Sequence, residues 1–315
     1  MAAVAPISLS VLVPVFNEEE GILECYSGIV RTLEAASIVF QIVFVDDGST
    51  DASLVKLSEL ADRDTRVMVI KLAFNVGQQR AMFTALKYCR GNVVITFDSD
   101  LQFHPDCLVT LTQKVLEGYD IVGGIRSIRQ DSLIFNCIPS WIGRKLINSA
   151  LRTNLMDFGA VKAYSGRMVK LLLGMNPPLI VLPAMAYSTS RNTLEIPVIH
   201  QPRVTGKSKW SILSRMELYL DIYTLYSRRP FAWMLVGGFF STAVSLTLGI
   251  GIFAYKFFVS DHFSGLIIFF DVFLMMMGVL LFSLSIVGEF VVRGLRVGRV
   301  AQNVVVEDVI GSDNQ

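Results

Sequence analysis

"NVVITFDSDLQFHPD", residues 92–106, joins a run of apolar and β-branched residues to two carboxylates, Asp98 and Asp100, set one residue apart. A short apolar run closed by polar residues marks a strand buried on both faces, as in parallel sheets wrapped by helices. In open sheets of that kind the ligand site lies beyond the carboxyl ends of the strands, where Asp98 and Asp100 fall. Neighbouring carboxylates repel one another, so this position calls for a divalent cation and the phosphates of a ligand.

The same rhythm extends on both sides. "SLSVLVPV" (8–15), "QIVFVDD" (41–47), "RVMVIKL" (66–72) and "YDIVGG" (119–124) read as further strands, separated by segments long enough for helices. The spacing predicts an α/β domain with a mainly parallel, Rossmann-like sheet. Polar clusters end several of these strands: "VPVFNEE" carries Asn17 and Glu18, "VDDGSTD" carries Asp46 and Asp47, and "NVGQQRA" follows the third. Beyond Gly124 the pattern predicts a helix over Ser140 to Ala150 and strands near Gly159 to Tyr164 and Leu194 to His200.

Composition sets the limits. The 315 residues are 52% hydrophobic, with a mean hydropathy of +0.53, enough for a full catalytic domain plus membrane segments. Twenty-eight basic and 27 acidic residues give a net charge of +1, so there is no global attraction to nucleic acid. Cys25, Cys89, Cys107 and Cys137 form no CxxC pair and accompany only three histidines; reduced thiols are expected rather than disulfides or zinc. "MAAVAPISLS" (1–10) lacks the basic and apolar regions of a cleaved signal peptide, which predicts a cytoplasmic first domain.

Residues 231–253 contain no charge, and 264–288 only Asp271. Each run suffices to cross a bilayer. Arg228, Arg229, Arg293, Arg296 and Arg299 flank the pair, whereas the "AYKFFVSDHF" connection (254–263) offers Lys256 against Asp261; the positive-inside rule places both termini in the cytoplasm at the plasma (inner) membrane. The expected division is a catalytic domain over 1–206, interfacial helices over 207–230, two spans within 231–290 (about 231–255 and 264–288) and a tail over 291–315. In "SKWSILSRMELYLDIYTLYSRRP" (208–230), Trp210, Leu213, Met216, Leu220 and Tyr223 recur at helical spacing, a stripe that suits either the headgroup region or the domain itself. Asp271 lies near the loop end of its span, and a structural role is expected. Glycines 237, 238, 249 and 251 permit close helix approach. The run in "RVAQNVVVEDVIG" (299–311) is expected to pair with a neighbour's sheet edge, one route to a homo-oligomer.

Taken together, "SVLVPVFNEE", "VDDGSTD", "FDSDLQFHPD" and "GYDIVGG" resemble the inverting family-two glycosyltransferases of GT-A fold over roughly the first 230 residues. One catalytic domain followed by two spans resembles the bacterial polyisoprenyl-phosphate glycosyltransferases. "NVGQQRA", "GYDIVGGIRSIRQDS" and "MDFGAVKAYS" are most similar to the undecaprenyl-phosphate 4-deoxy-4-formamido-arabinose transferases, then to the glucosyltransferases, and more distantly to dolichyl-phosphate mannose synthase. The resemblance implies a nucleotide-sugar donor, a polyisoprenyl phosphate acceptor, Mg2+ or Mn2+, and a homo-oligomer, a tetramer among the admissible assemblies. It implies that Pro14, Glu18 and Asp47 hold the nucleoside and that Asp98, Asp100 and Gln102 hold metal and diphosphate. Ser99 replaces the family's frequent Ala, and His104 in "FHPD" its frequent Pro. "PRVTGKSKW" (202–210) resembles the acceptor loop. The cations available to an acceptor phosphate are Arg126, Arg129, Arg144, Arg203, Lys207 and Lys209, with Arg129 read as a solvated surface charge. Asp157 matches the family's catalytic-base position. A phosphate monoester is mostly dianionic at neutral pH, so Asp157 is either a base or a group that orients the acceptor or a cation such as Arg203.

Three other readings share parts of this pattern. A processive polysaccharide synthase carries a Gln-x-x-Arg-Trp motif, but none of Trp141, Trp210 and Trp233 follows an Arg. A sugar-nucleotide pyrophosphorylase opens on a basic, glycine-rich loop, where this chain has the acidic "VPVFNEE". A non-enzymatic membrane scaffold has no need of Glu18, Asp47, Asp98 and Asp100 all at strand ends.

Overall fold

A computed structural model describes residues 8–126, 137–158, 161–175, 177, 179–199, 212–227, 230–258, 265–298 and 304–311. Two compact units emerge, one comprising residues 1–222 with 300–315, the other 223–299.

In the first unit, β1 (Leu9–Val15), β2 (Phe40–Asp46), β3 (Val67–Leu72) and β4 (Val93–Thr96) are parallel, and every residue of β1 and β2 is buried. Their apolar side chains meet helices on both faces, which is why the sequence shows continuous apolar runs and not alternation. On one face α1 (Ile22–Ala35) buries Ile22, Cys25, Ile29 and Leu33, at helical spacing, against Val11, Val13 and Phe44. The α2 (Ser53–Arg63) and α4 (Cys107–Leu116) helices flank it, and α3 (Gln78–Ala85) follows β3.

Eight strands make one sheet in the order β7-β5-β6-β4-β1-β2-β3-β8. The chain runs from β1 to β2 and β3 on one side, then returns to set β4 on the other. A topological switch point, where a crevice opens for a ligand, therefore lies between the carboxyl ends of β1 and β4. β5 (Ile121–Arg126) and β7 (Thr193–Val198) are parallel partners; β6 (Lys162–Ser165) lies antiparallel between β4 and β5. The predicted helix over 140–150 is α5 (Cys137–Leu151), and the two predicted strands are β6 and β7. Short helices α6 (Gly166–Leu173) and α7 (Leu182–Thr189) complete this part, the first capped by Ser165, whose hydroxyl accepts the Met168 N–H at 3.1 Å. In α8 (Ile212–Tyr226), Tyr219 covers Gly143 of α5 so closely that a methyl group there would collide with the ring, and Ile222 is fully buried. Tyr219 and Ile222 lie outside the predicted stripe, whose Leu220 is exposed. Cys25, Cys89 and Cys107 are free, and burial pushes the Cys89 and Cys107 thiols up to about 12.

The tail departs from expectation. β8 (Val306–Ile310) pairs antiparallel with β3 of its own chain, Val69 opposite Ile310 and Lys71 opposite Asp308, and Lys71 Nζ binds Glu307 at 2.8 Å. The run therefore closes its own sheet rather than a neighbour's, because β3 is otherwise an open edge with an apolar face to cover.

The second unit is a hairpin of α9 (Ala232–Phe258) and α10 (Gly265–Gly298), both long and apolar enough to cross a membrane. Gly238 brings the α9 backbone against Gly278 and Phe282 of α10; a methyl group there would lie 2.6 Å from the Phe282 nitrogen. Gly237 and Gly251 face open space in this chain. The Ser245 hydroxyl lies 2.8 Å from both the carbonyl and Oδ1 of Asp271, and Gly249 leaves room for the carboxylate. Asp271 thus ties the two helices together, the structural role expected of it.

Candidate active site

The β1 and β2 loops are built as one piece. Asn17 adopts a left-handed conformation (φ 54°) and its Oδ1 accepts the Thr50 N–H at 2.8 Å, while its own N–H reaches the Ser49 hydroxyl at 3.0 Å. Glu18 N–H donates to Ser53 Oγ at 3.0 Å, and Glu19 Oε2 accepts from Ala52 N–H at 2.9 Å. Pro14 is buried beneath this loop in register with Val45. Asp47, almost fully buried, accepts the Val76 and Gly77 N–H groups at 2.7 and 2.9 Å, one on each carboxylate oxygen. Burial pushes its carboxyl up and these two amides pull it back; the carboxylate braces the β3–α3 loop. Gly48 (φ 71°) packs on the Phe74–Asn75 backbone, an added methyl lying 2.8 Å from Asn75 N. Gly48→Ala therefore combines strain and a clash, and should weaken binding of a nucleoside diphosphate about tenfold. Titration calorimetry with the diphosphate checks this; unchanged affinity would show that the two loops need not touch.

Asp98 and Asp100 stand half-buried past the end of β4. Gln78, first residue of α3, donates from Nε2 to Asp98 Oδ1 at 2.9 Å, and Asp100 Oδ1 accepts the Gln102 N–H at 3.2 Å across a left-handed Leu101 (φ 52°). Asp47 thus acts on Asp98 at one remove, by fixing the loop that carries Gln78. Burial, with help from Asp100 and Asp98, pushes the neighbouring Cys25 thiol far up, so it stays protonated. Among the described residues no three His, Cys, Asp or Glu side chains gather as a metal cage. Mg2+ held by one or two carboxylates with substrate phosphates and water needs no such cage, and the Asp98–Asp100 pair with Gln102 fits that donor set. His104 turns instead to Asp106, Nδ1 at 3.2 Å from Oδ2, at the start of α4.

Asp157 lies at the same end of the sheet. β6 starts where β4 ends, with Lys162 opposite Thr96, and the Lys162 Nζ reaches back to the Asp157 carbonyl at 2.9 Å. The buried Asp157 carboxylate sits 3.1 Å from Arg126 Nε, a charge contact rather than an aligned hydrogen bond, and is 3.4 Å from the Arg126 N–H. Glu195 on β7 accepts the Met156 and Asp157 N–H groups at 2.8 and 3.2 Å. Desolvation lowers Lys162 from 10.5 to about 8 against the opposing pull of Asp157 and Glu195. Because the folded value lies below the unfolded one, the buried ammonium subtracts about 3 kcal/mol of stability below pH 8, and that penalty lifts between about pH 8 and 10.5.

Hydrogen bonds link Asp47 to Asp98 through the loop over Val76, Gly77 and Gln78, Asp100 to Gln102, and Glu18 to Ser53, while Arg126 meets Asp157. Arg144 is exposed on α5. Arg129, Arg203, Lys207 and Lys209 lie outside the described residues. Gln78 lies in the strand-end cluster "NVGQQRA" (75–81) without having been singled out, and Lys162 and Glu195 were not expected from the sequence, the signal for the first being a lysine inside the apolar run "AVKAY" (160–164).

A Rossmann-like sheet with carboxylates at its switch point is an arrangement suited to a phosphorylated ligand, on a chain that also carries two helices long and apolar enough to cross a membrane. Residues 10–167 match the model of glycosyl transferase family 2, and the chain belongs to that family: it is a glycosyltransferase. Similar curated proteins include the undecaprenyl-phosphate 4-deoxy-4-formamido-L-arabinose transferase of Pseudomonas aeruginosa, 34% identical over 91% of this chain and 86% of its own. The protein of the same name from Edwardsiella ictaluri is 34% identical over 70% of this chain and 69% of its own. Among solved structures, glucosyl-3-phosphoglycerate synthase of Mycobacterium tuberculosis bound to UDP matches with a TM-score of 0.48 at 17% identity, over 70% of this chain and 82% of that one, a distant likeness.

Proposed function

We propose that the chain transfers a sugar, with inversion, from a UDP-sugar to a polyisoprenyl phosphate of the undecaprenyl type at the cytoplasmic face of the inner membrane. The observation that carries this reading is one sheet end that bears both a carboxylate pair suited to a nucleotide diphosphate and an Arg126–Asp157 pair suited to a second phosphate. The name of the relatives and the two apolar helices support the lipid acceptor. The acceptor phosphate oxygen attacks the anomeric carbon; as that C–O bond forms, the bond to the diphosphate breaks and its electron pair leaves with the nucleoside diphosphate. Asp98, Asp100 and Gln102 would hold Mg2+ or Mn2+, which when bound neutralises the leaving diphosphate. Pro14, Glu18 and Asp47 seat the nucleoside. Arg126, with Arg144, Arg203, Lys207 and Lys209, receives the acceptor phosphate, and Asp157 holds the Arg126 guanidinium in place.

The product is a lipid-linked sugar of the kind consumed in cell-envelope glycan or lipopolysaccharide modification. A homo-oligomer belongs to the same reading. Nucleoside diphosphate release, measured with a panel of UDP-sugars headed by the 4-formamido-arabinose donor, should depend on added polyprenyl phosphate. Release that ignores the lipid would point to a different acceptor, and release growing with a polysaccharide chain would point to a processive synthase.

A further inference from the structure

We infer that Lys162, Gly123 and Glu195 form a cradle that positions Asp157, and through it Arg126, toward the acceptor phosphate, an inference that rests on the function proposed above. The three residues lie in a single row across β6, β5 and β7: Gly123 is the register partner of Lys162 on one side and of Glu195 on the other. Directly paired residues project from the same face of a sheet. The middle position has no side chain, and the Lys162 side chain passes over it. A methyl group on Gly123 would lie 3.2 Å from Lys162 Nζ and 3.0 Å from the Tyr187 hydroxyl, which shows how tightly the gap is filled.

The two charges grip one backbone segment from opposite sides. Glu195 takes the N–H groups of Met156 and Asp157, and Lys162 takes the Asp157 carbonyl. The Asp157 carboxylate itself lies 3.1 Å from Arg126 Nε. Lys162 is 1% exposed. A methionine of similar length would fill the same space without the expense of burying charge, so packing alone does not account for a lysine. Its chemistry is matched to the carbonyl it meets. Lys162 and Glu195 are positioning residues, since the groups that face the acceptor are Asp157 and Arg126.

The test uses full-length protein in lipid nanodiscs with Lys162→Met, Glu195→Gln, and the double variant, which leaves neither charge buried alone. In the free protein, amide exchange of the segment around Met156 and Asp157 should quicken about tenfold in each, with exchange in β1 and β2 unchanged. With donor and polyprenyl phosphate, kcat/KM for the acceptor should fall about 30-fold while affinity for the nucleoside diphosphate stays within about twofold. In an Asp157→Ala background, Lys162→Met should cost less than about twofold more, because it acts through Asp157. Unchanged exchange around Asp157, equal losses for donor and acceptor, or full additivity with Asp157→Ala would each overturn the cradle. Wild-type protein inert toward polyprenyl phosphate would instead overturn the proposed function, and the exchange result would still decide whether the cradle holds Asp157.

Discussion

Asp100→Asn should lower the transfer rate by about two decades or more, on the order of 3 kcal/mol of transition-state stabilisation, with the fold retained. The substitution keeps the shape, and its amide oxygen can still accept the Gln102 N–H that turns the chain at Leu101. Only the charge is lost. In the wild-type chain Asp98 and Asp100 each accept a hydrogen bond, from Gln78 and from the Gln102 N–H, and keep their charge. Excess chelator should abolish transfer and added Mg2+ or Mn2+ restore it. Single-turnover rates within a few-fold of wild type for Asp100→Asn, or full activity in chelator, would remove the metal from the scheme.

Asp157→Asn should reduce the rate about 100-fold, and by a similar factor from about pH 5.5 to above about pH 8. The acceptor's second ionisation near pH 6 gives two roles for Asp157 opposite signatures. A general base is needed where the phosphate still holds a proton, so its loss would hurt most at low pH and fade as pH rises. An orienting charge is needed in either state. The 3.1 Å contact to Arg126 favours orientation, since on the proposed reading that cation receives the dianionic acceptor. A pH–rate profile at saturating acceptor separates them: a defect that vanishes toward alkaline pH would make Asp157 the base.

Much of this domain was legible because its signals are local. Asp98 and Asp100 follow β4 in the chain, Asn17 and Glu18 follow β1, and the spans announce themselves by length and lack of charge. What was not legible depends on register between distant segments. The role of Lys162 requires knowing that β6 runs antiparallel beside β5 with Gly123 opposite, and that β7 places Glu195 on the other side. Asp47 read as a nucleoside ligand alone because nothing near it in sequence shows that Val76 and Gly77 approach its oxygens. The fate of the tail turned on a pairing across more than 230 residues, which an alternation of valines cannot specify.

That pairing fixes a parity. β3 and β8 share a ladder, yet α9 and α10 lie between them in the chain. A segment that leaves a sheet and rejoins it has to end on the side of the bilayer where it began, so on the proposed reading the number of crossings is even whatever the charges of the connecting loop. Reporters fused before Leu9 and after Gly311 should sense one compartment. Relocating Lys256 or the flanking arginines should then yield either the native orientation or its complete inversion, and a protein with a single crossing would have to abandon β8.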